Sequence, residues 1–190
     1  MDPDRDDAVR LRRGDLAGLT GLMGRHQDRL YRYLVRLLGD EAVAEDVFQQ
    51  TWLRAAERIA RYDASRPFAP WLYAVARNLA FDHLRRYEPQ SLDDEDEGTI
   101  AAEGREGGAE TGPLALLATR ERCERLAVAV AALSARDREV LGLRFEEDLA
   151  LAEVAGVLGV PLPTAKARLY RALARLRQRL LARAPLEDWT

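Results

Sequence analysis

The chain has 190 residues, 29 basic and 32 acidic, two histidines and one cysteine, for a formal charge of −3. That length holds one large or two small domains, and a hydrophobic content of 47% is ample for cores. The lone Cys123, set in an apolar helical run that predicts a buried, inert thiol, excludes an internal disulfide and a cysteine-based zinc site. With no apolar run of membrane length and an acidic start, MDPDRDD, unlike a secretory leader, the expectation is a cytoplasmic protein without membrane insertion.

The first predicted helix, Asp7 to Met23, is weakened by Gly14, Gly18 and Gly21. In LYRYLVRLL the apolar positions Leu30, Tyr31, Leu34, Leu37 and Leu38 recur at helical spacing; Gly39 ends that helix and Asp40 can cap the next. Residues 41–60 form a helix with Val43, Val47, Thr51, Trp52, Ala55 and Ile59 on one face. Opposite lies a polar stripe, Asp46, Gln49, Gln50 and Glu57, with Leu53 set in it. An apolar residue there is either a lone exposed leucine or part of a protein contact.

Pro67 and Pro70 break the helical pattern, and a further helix runs from about Trp71 to Tyr87. Leu72, Val75, Ala76 and Leu79 supply its core stripe, Asn78, Asp82, Arg85 and Arg86 another face, and Arg77 and Phe81 stand between. The loop SRPFAPW brings Phe68 and Trp71 close to these arginines. Cations that hold a backbone beside rings that stack on bases suit single-stranded nucleic acid, although both rings fit a core role as well.

Residues 88–113 carry nine acids and one base, net −8, with five glycines and too little apolar content for a core. The rest of the chain is net +5. This reads as a linker; its 26 residues reach about 85 Å when extended at about 3.3 Å each. Helices resume at Pro113. Ser134 and Asp137 resemble a capping box opening ARDREVLGLRF.

From Leu149 to Arg183 a short helix with an Ala155–Gly159 step, which would let a second helix pack closely, is followed by a proline-bearing turn and a second helix. Thr164–Arg183 holds seven basic residues and no acid. A helix-turn-helix with a cationic second helix is built to enter a DNA groove. The predicted fold is all-α: two small helical domains, 1–87 and 114–190, joined by a flexible acidic linker. His26 and His83 have no partner at ligand spacing, so no metal or cofactor is expected, and no nucleophile motif marks the chain as an enzyme.

Three segments carry a resemblance to bacterial sigma factors of the sigma-70 family. DEAVAEDVFQQTWLRAAERI resembles the region that docks on the RNA polymerase clamp. PFAPWLYAVARNLAFDHLRR is similar to the adjoining region that melts and reads the −10 element. LSARDREVLGLRFEEDLALAEVAGVLGVPLPTAKARLYRALARLR is similar to the −35-reading domain. Two domains with a short linker resemble the extracytoplasmic-function (ECF) class. The resemblance implies core polymerase as a partner, through its clamp and flap regions, with the clamp contact at Asp46, Gln49, Gln50 and Leu53. It implies −10 contacts at Phe68, Trp71, Arg77, Asn78, Asp82, Arg85 and Arg86. For the −35 groove it implies Lys166, Ala167, Tyr170 and Arg171, with Thr164, Arg168 and Arg175 on phosphates or in packing. An anti-sigma partner is expected by the same analogy.

The chain departs from the family pattern in places. Ala150 stands where Ser is usual, losing an N-cap worth about 1 kcal/mol. Ala167 likewise replaces Ser, and Gln50 and Phe48 replace a common Glu and a small aliphatic. Two other readings stay open: a stand-alone helix-turn-helix regulator, which leaves residues 61–87 unexplained, and a DNA-processing enzyme, which needs a nucleophile that residues 1–87 do not offer.

Overall fold

Asp2 opens the first helix. Its carboxylate accepts the Asp4 N–H at 3.0 Å, and Pro3 follows at the first helical position, where no donor is needed. The computed structural model describes residues 2–87 and 113–183. The N-terminal domain contains α1 (Pro3–Arg12), α2 (Leu16–Leu38), α3 (Glu41–Arg58) with a 3-10 turn (Ile59–Arg61), and α4 (Phe68–Tyr87). The C-terminal domain contains α5 (Pro113–Ala131), α6 (Ala135–Leu141) with a π turn (Gly142–Glu146), α7 (Leu151–Leu158) and α8 (Leu162–Arg183). No strand occurs among the described residues, and the acidic linker lies almost wholly outside them; Pro113 already belongs to α5.

The expected helix over 7–23 is two elements. The chain breaks at Gly14, whose φ of +86° is left-handed, and Asp15 caps α2 by accepting the Ala17 N–H at 3.0 Å. Gly18 and Gly21 do not interrupt α2; they mark where α1 crosses it. A Cβ on Gly18 would meet the Asp7 carbonyl, and one on Gly21 the Asp7 carboxylate. Charge pairs clasp the crossing: Arg25 holds Asp4 at 2.6 Å and Asp7 at 2.7 Å, and His26 Nε2 lies 2.7 Å from Asp4. Gly39 (φ +75°) then ends α2, and Asp40 caps α3 through the Val43 N–H at 3.1 Å. Helix α4 starts three residues earlier than the sequence predicts. Pro70 falls in its first turn, where the ring clashes with no preceding carbonyl. Leu22, Leu30, Leu34, Leu37, Leu72 and Leu84 fill the core between α2, α3 and α4.

In the C-terminal domain Ser134 caps α6 by accepting the Asp137 N–H at 3.2 Å. Ala150, at the N-cap of α7, has no oxygen to offer; only the other half of a capping box remains, with the Ala150 N–H donating to Glu153 at 2.8 Å. Gly159 ends α7 with φ +66°, and a Cβ there would meet nothing within 4 Å. The Ala155–Gly159 step is therefore a turn requirement and not a close helix crossing. Close packing of α7 on α8 comes instead from buried Ala155, Ala165, Leu169 and Ala172. Cys123, expected to be buried, is exposed: α5 leans on α8 by one face only, and Ala129 rather than Cys123 is on it. No helix among the described residues is long and apolar enough to cross a membrane.

The two domains share one continuous cluster of buried apolar residues. Helices α6 and α7 pack against α2 and α4.

Candidate nucleic-acid and polymerase interface

Helix α3 divides as its periodicity demands. Ala44, Val47, Thr51, Trp52 and Ala55 are buried, and the Thr51 hydroxyl donates to the Val47 carbonyl at 2.7 Å. Asp46, Gln49, Gln50 and Leu53 all face solvent. Leu53 is 66% exposed, an apolar side chain held up among polar ones. Phe48 is half-buried at the stripe's edge, edge-on to Tyr31 and to Trp52 at ring separations of 5.8 and 6.4 Å.

The aromatic loop before α4 is arranged differently from the expectation. Phe68 is 1% exposed and serves as its floor. Its ring lies 5.4 Å from Tyr62, 5.4 Å from His26 and 5.5 Å from Trp71. His26 of α2 and Tyr62 after the 3-10 turn cover the Phe68 ring, which leaves it closed to a direct base contact; the −10 role expected for Phe68 is corrected to a supporting one. Trp71 remains half-buried, 5.3 Å from Tyr62. The Arg12 guanidinium ties the loop from α1, donating to the carbonyls of Ile59, at 3.4 Å, and of Tyr62. Along α4, Asn78, Asp82, Arg85 and Arg86 are exposed, with Arg85 paired to Asp82.

On α8, Lys166, Ala167 and Tyr170 are exposed, and Thr164, Arg168 and Arg171 are half-buried. The Lys166 ammonium lies 5.9 Å from the Tyr170 ring centroid, so cation and ring share one patch. Arg175 is otherwise engaged: it donates to Asp137 at 2.9 Å and clamps α8 to α6. Of the two roles considered for it, packing is the one observed. Among the described residues no group of histidine, cysteine and carboxylate side chains is arranged to hold a metal.

Arg77 joins the two domains. Its guanidinium lies 4.8 Å over the Phe81 ring, and its Nε is 2.6 Å from Oε1 of Glu139 on α6. The N–H is not aimed at that oxygen, so the contact is coulombic and both atoms lack a directed hydrogen bond. Glu139 is buried, which raises its pKa to about 7 against the opposing pull of Arg77. One turn earlier on α4, the Tyr73 hydroxyl donates to Glu147. Burial and that carboxylate push the tyrosine far above its ordinary range. Arg36 pairs with Glu146 at the rim, and Arg138 donates to the Leu37 carbonyl at 2.9 Å.

Residues 22–89 match the family model of sigma-70 region 2, and residues 129–178 that of sigma-70 region 4. The ECF RNA polymerase sigma factor SigL of Mycobacterium tuberculosis is 33% identical over 165 residues, 86% of this chain and 89% of that one. The chain is an ECF-class member of the sigma-70 family. CnrH, solved in complex with the cytosolic domain of CnrY, is similar at 26% identity and a TM-score of 0.70, over 96% of this chain and 100% of that one. The sigma factor RpoE of Bartonella quintana, solved with the anti-sigma factor NepR, shares the fold at 19% identity and a TM-score of 0.62, over 87% and 98% of the two chains.

In this sigma factor, then, region 2 holds α2, α3 and α4, and most of region 4 lies in α6, α7 and α8. Sequence reasoning missed Tyr73, Glu139 and Glu147. Glu139 carried a signal, since it precedes Val140, Leu141 and Leu143 in a run that buries all four. Read as a helix pattern, it was a polar residue on an apolar face. Tyr73 and Glu147 are 74 positions apart and carried none.

Proposed function

We propose that this chain is the promoter-specificity subunit of RNA polymerase. It binds the core enzyme through α3, reads duplex −35 DNA with α8, and captures unpaired −10 bases beside α4. One observation carries the reading: within a chain matching both sigma regions, the stripe Asp46, Gln49, Gln50 and Leu53 is fully presented to solvent although Leu53 gains nothing from exposure. The functional division is residues 1–87 for polymerase docking and −10 recognition, 88–113 as tether, and 114–190 for −35 recognition.

In the −10 region the base-facing groups are Asn78 and Asp82, with the exposed edge of Trp71 as the stacking surface. Arg85, Arg86 and Arg77 hold phosphates, and Phe68 sets the loop's height. Opening is driven by binding: stacking contributes about 1–3 kcal/mol per base, comparable with the cost of unstacking one step. At −35, Lys166, Ala167, Tyr170 and Arg171 face the groove, and Thr164 and Arg168 the phosphates. Ala167 offers the groove a methyl group where a hydroxyl is usual, which favours apolar contact such as a thymine methyl. An anti-sigma factor is the natural regulator, given the partner named for the Bartonella quintana protein.

The test is run-off transcription by core polymerase with and without the chain, on a library of genomic promoters. Chain-dependent transcripts whose start sites share two spaced elements support the reading. Their absence, together with tight operator binding by the chain alone, turns it into a stand-alone regulator.

A further inference from the structure

Helix α8 begins with a run of apolar side chains turned outward. From Pro161 to Tyr170 the exposed positions are Pro161, Leu162, Pro163, Lys166, Ala167 and Tyr170. Leu162 is 48% exposed and Tyr170 37%. They form two adjoining rows on one face: Leu162, Lys166 and Tyr170 at successive i, i+4 steps, with Pro163 and Ala167 beside them. The domain does not use Leu162 for its own packing. Val160, two residues earlier, packs against the core, and Ala165, Leu169 and Ala172 make the buried face of the helix.

The chemistry of this exposed face is narrow. Only the Lys166 ammonium and the Tyr170 hydroxyl can hydrogen-bond from it, and that ammonium lies 5.9 Å from the Tyr170 ring centroid. The paired hydrogen bonds that pick out guanine or adenine come from Arg, Asn or Gln at the base edge. None stands among these exposed positions; Arg168 and Arg171 are half-buried. The start of the helix is equally poor in donors, because Pro161 and Pro163 remove two N–H groups from a turn that would otherwise hold a phosphate. What the face offers is methyl and methylene surface on a helix of strong positive charge, since Thr164–Arg183 holds seven basic residues and no acid. Such a surface fits the major groove of duplex DNA where methyl groups line it, and thymine is the base that carries one there.

We infer that Leu162, together with Pro163 and Ala167, reads thymine C5-methyl groups in the −35 element, so that this sigma factor selects thymine there by apolar contact and not by hydrogen bonds. This deepens, and rests on, the −35 role proposed for α8. Leu162 is the specificity-determining side chain, and the basic residues of α8 supply affinity that does not depend on sequence.

The test uses holoenzyme reconstituted from core polymerase and the full chain, on a duplex promoter taken from the run-off library. Each −35 thymine, on either strand, is replaced singly by deoxyuridine, which removes the methyl group and leaves every hydrogen-bonding atom of the base in place. Binding of the closed complex should weaken about fourfold at each methyl group that the face covers, and not at all for uracil placed in the spacer. Leu162→Ala should bring thymine and uracil to parity at one or more of those positions, and Leu162→Met should keep the preference. Lys166→Ala should weaken binding to both DNAs alike, lessen its salt dependence and leave the thymine-to-uracil ratio unchanged. The uracil series on the wild-type chain needs no protein variant, so it stands even where a substitution unfolds the domain.

A −35 element without thymine, uracil tolerated at every −35 thymine, or an unchanged ratio in a folded Leu162→Ala overturns the inference. Failure of the broader reading looks different: no promoter gives a chain-dependent transcript, and the same uracil series is then run on an operator duplex bound by the chain alone.

Discussion

Raising the pH from 6 to 8 should open the domain seam. In the docked form Glu139 titrates near 7, raised by burial from 4.5. Once the domains part, water reaches it and the ordinary value returns. A carboxyl whose pKa is raised by docking holds its proton longer when docked, so docking takes up a proton. The resulting stabilisation is full below the free value near 4.5 and is lost as the pH rises through 7. For one such group the docking equilibrium weakens roughly tenfold between pH 6 and pH 8, about 1.4 kcal/mol.

The charged groups acting on Glu139 are Arg77 on α4, Arg136 on α6 and Arg168 on α8; Tyr33 on α2 lies beside it, and Tyr73 on α4 and Glu147 after the π turn act in turn on Tyr33. The tyrosines, pushed upward by burial, stay neutral. Glu146 at the rim is raised by partial burial and acts in the same sense. The assay is interdomain energy transfer across a pH series at constant ionic strength. Transfer should fall with rising pH in the wild type, and most of that fall should vanish in Glu139→Gln. Transfer that is flat, that falls on acidification, or that keeps its full pH dependence in Glu139→Gln would refute the reasoning.

Leu53→Asp should abolish co-purification with core polymerase while leaving the melting temperature within about a degree, because surface substitutions away from packing change stability by under about 0.5 kcal/mol; a large drop in melting temperature would place Leu53 in the fold instead. Phe68→Ala should destabilise the N-terminal domain by about 3–5 kcal/mol in denaturant titrations. Asn78→Ala should leave that stability unchanged and slow promoter opening, measured by reactivity of unpaired −10 thymines; equal stability losses in the two variants would erase the distinction drawn between floor and base-facing groups. Ala150→Ser should stabilise the C-terminal domain by about 1 kcal/mol, read as a shifted denaturation midpoint, since the N-cap geometry and the Glu153 half of the capping box are already in place.

Helix periodicity, the caps at Asp40 and Ser134, the left-handed stop at Gly39 and the exposed stripe on α3 are local matters. Each depends on residues within a turn or two, and the sequence alone determined them. So did the division into helical domains around an acid-rich segment, because charge and apolar content change over a few residues. Family resemblance supplied roles by position, which periodicity could not. It could not say that Phe68 is a floor, since that depends on His26 of α2, distant in sequence, covering the ring. Nor could it separate the glycines: Gly18 and Gly21 look like helix breakers until α1 is seen lying across them, and Gly159 looks like a packing step until its φ is known.

What only the tertiary structure decided is the seam. Arg77 reads in sequence as one more arginine among 29 basic residues, and Glu139 as one more polar residue in a short helix. Their meeting depends on the docking of two domains whose contacts are distant in sequence. The energy of that meeting depends on how much water the docking removes, and neither quantity is written in any local pattern.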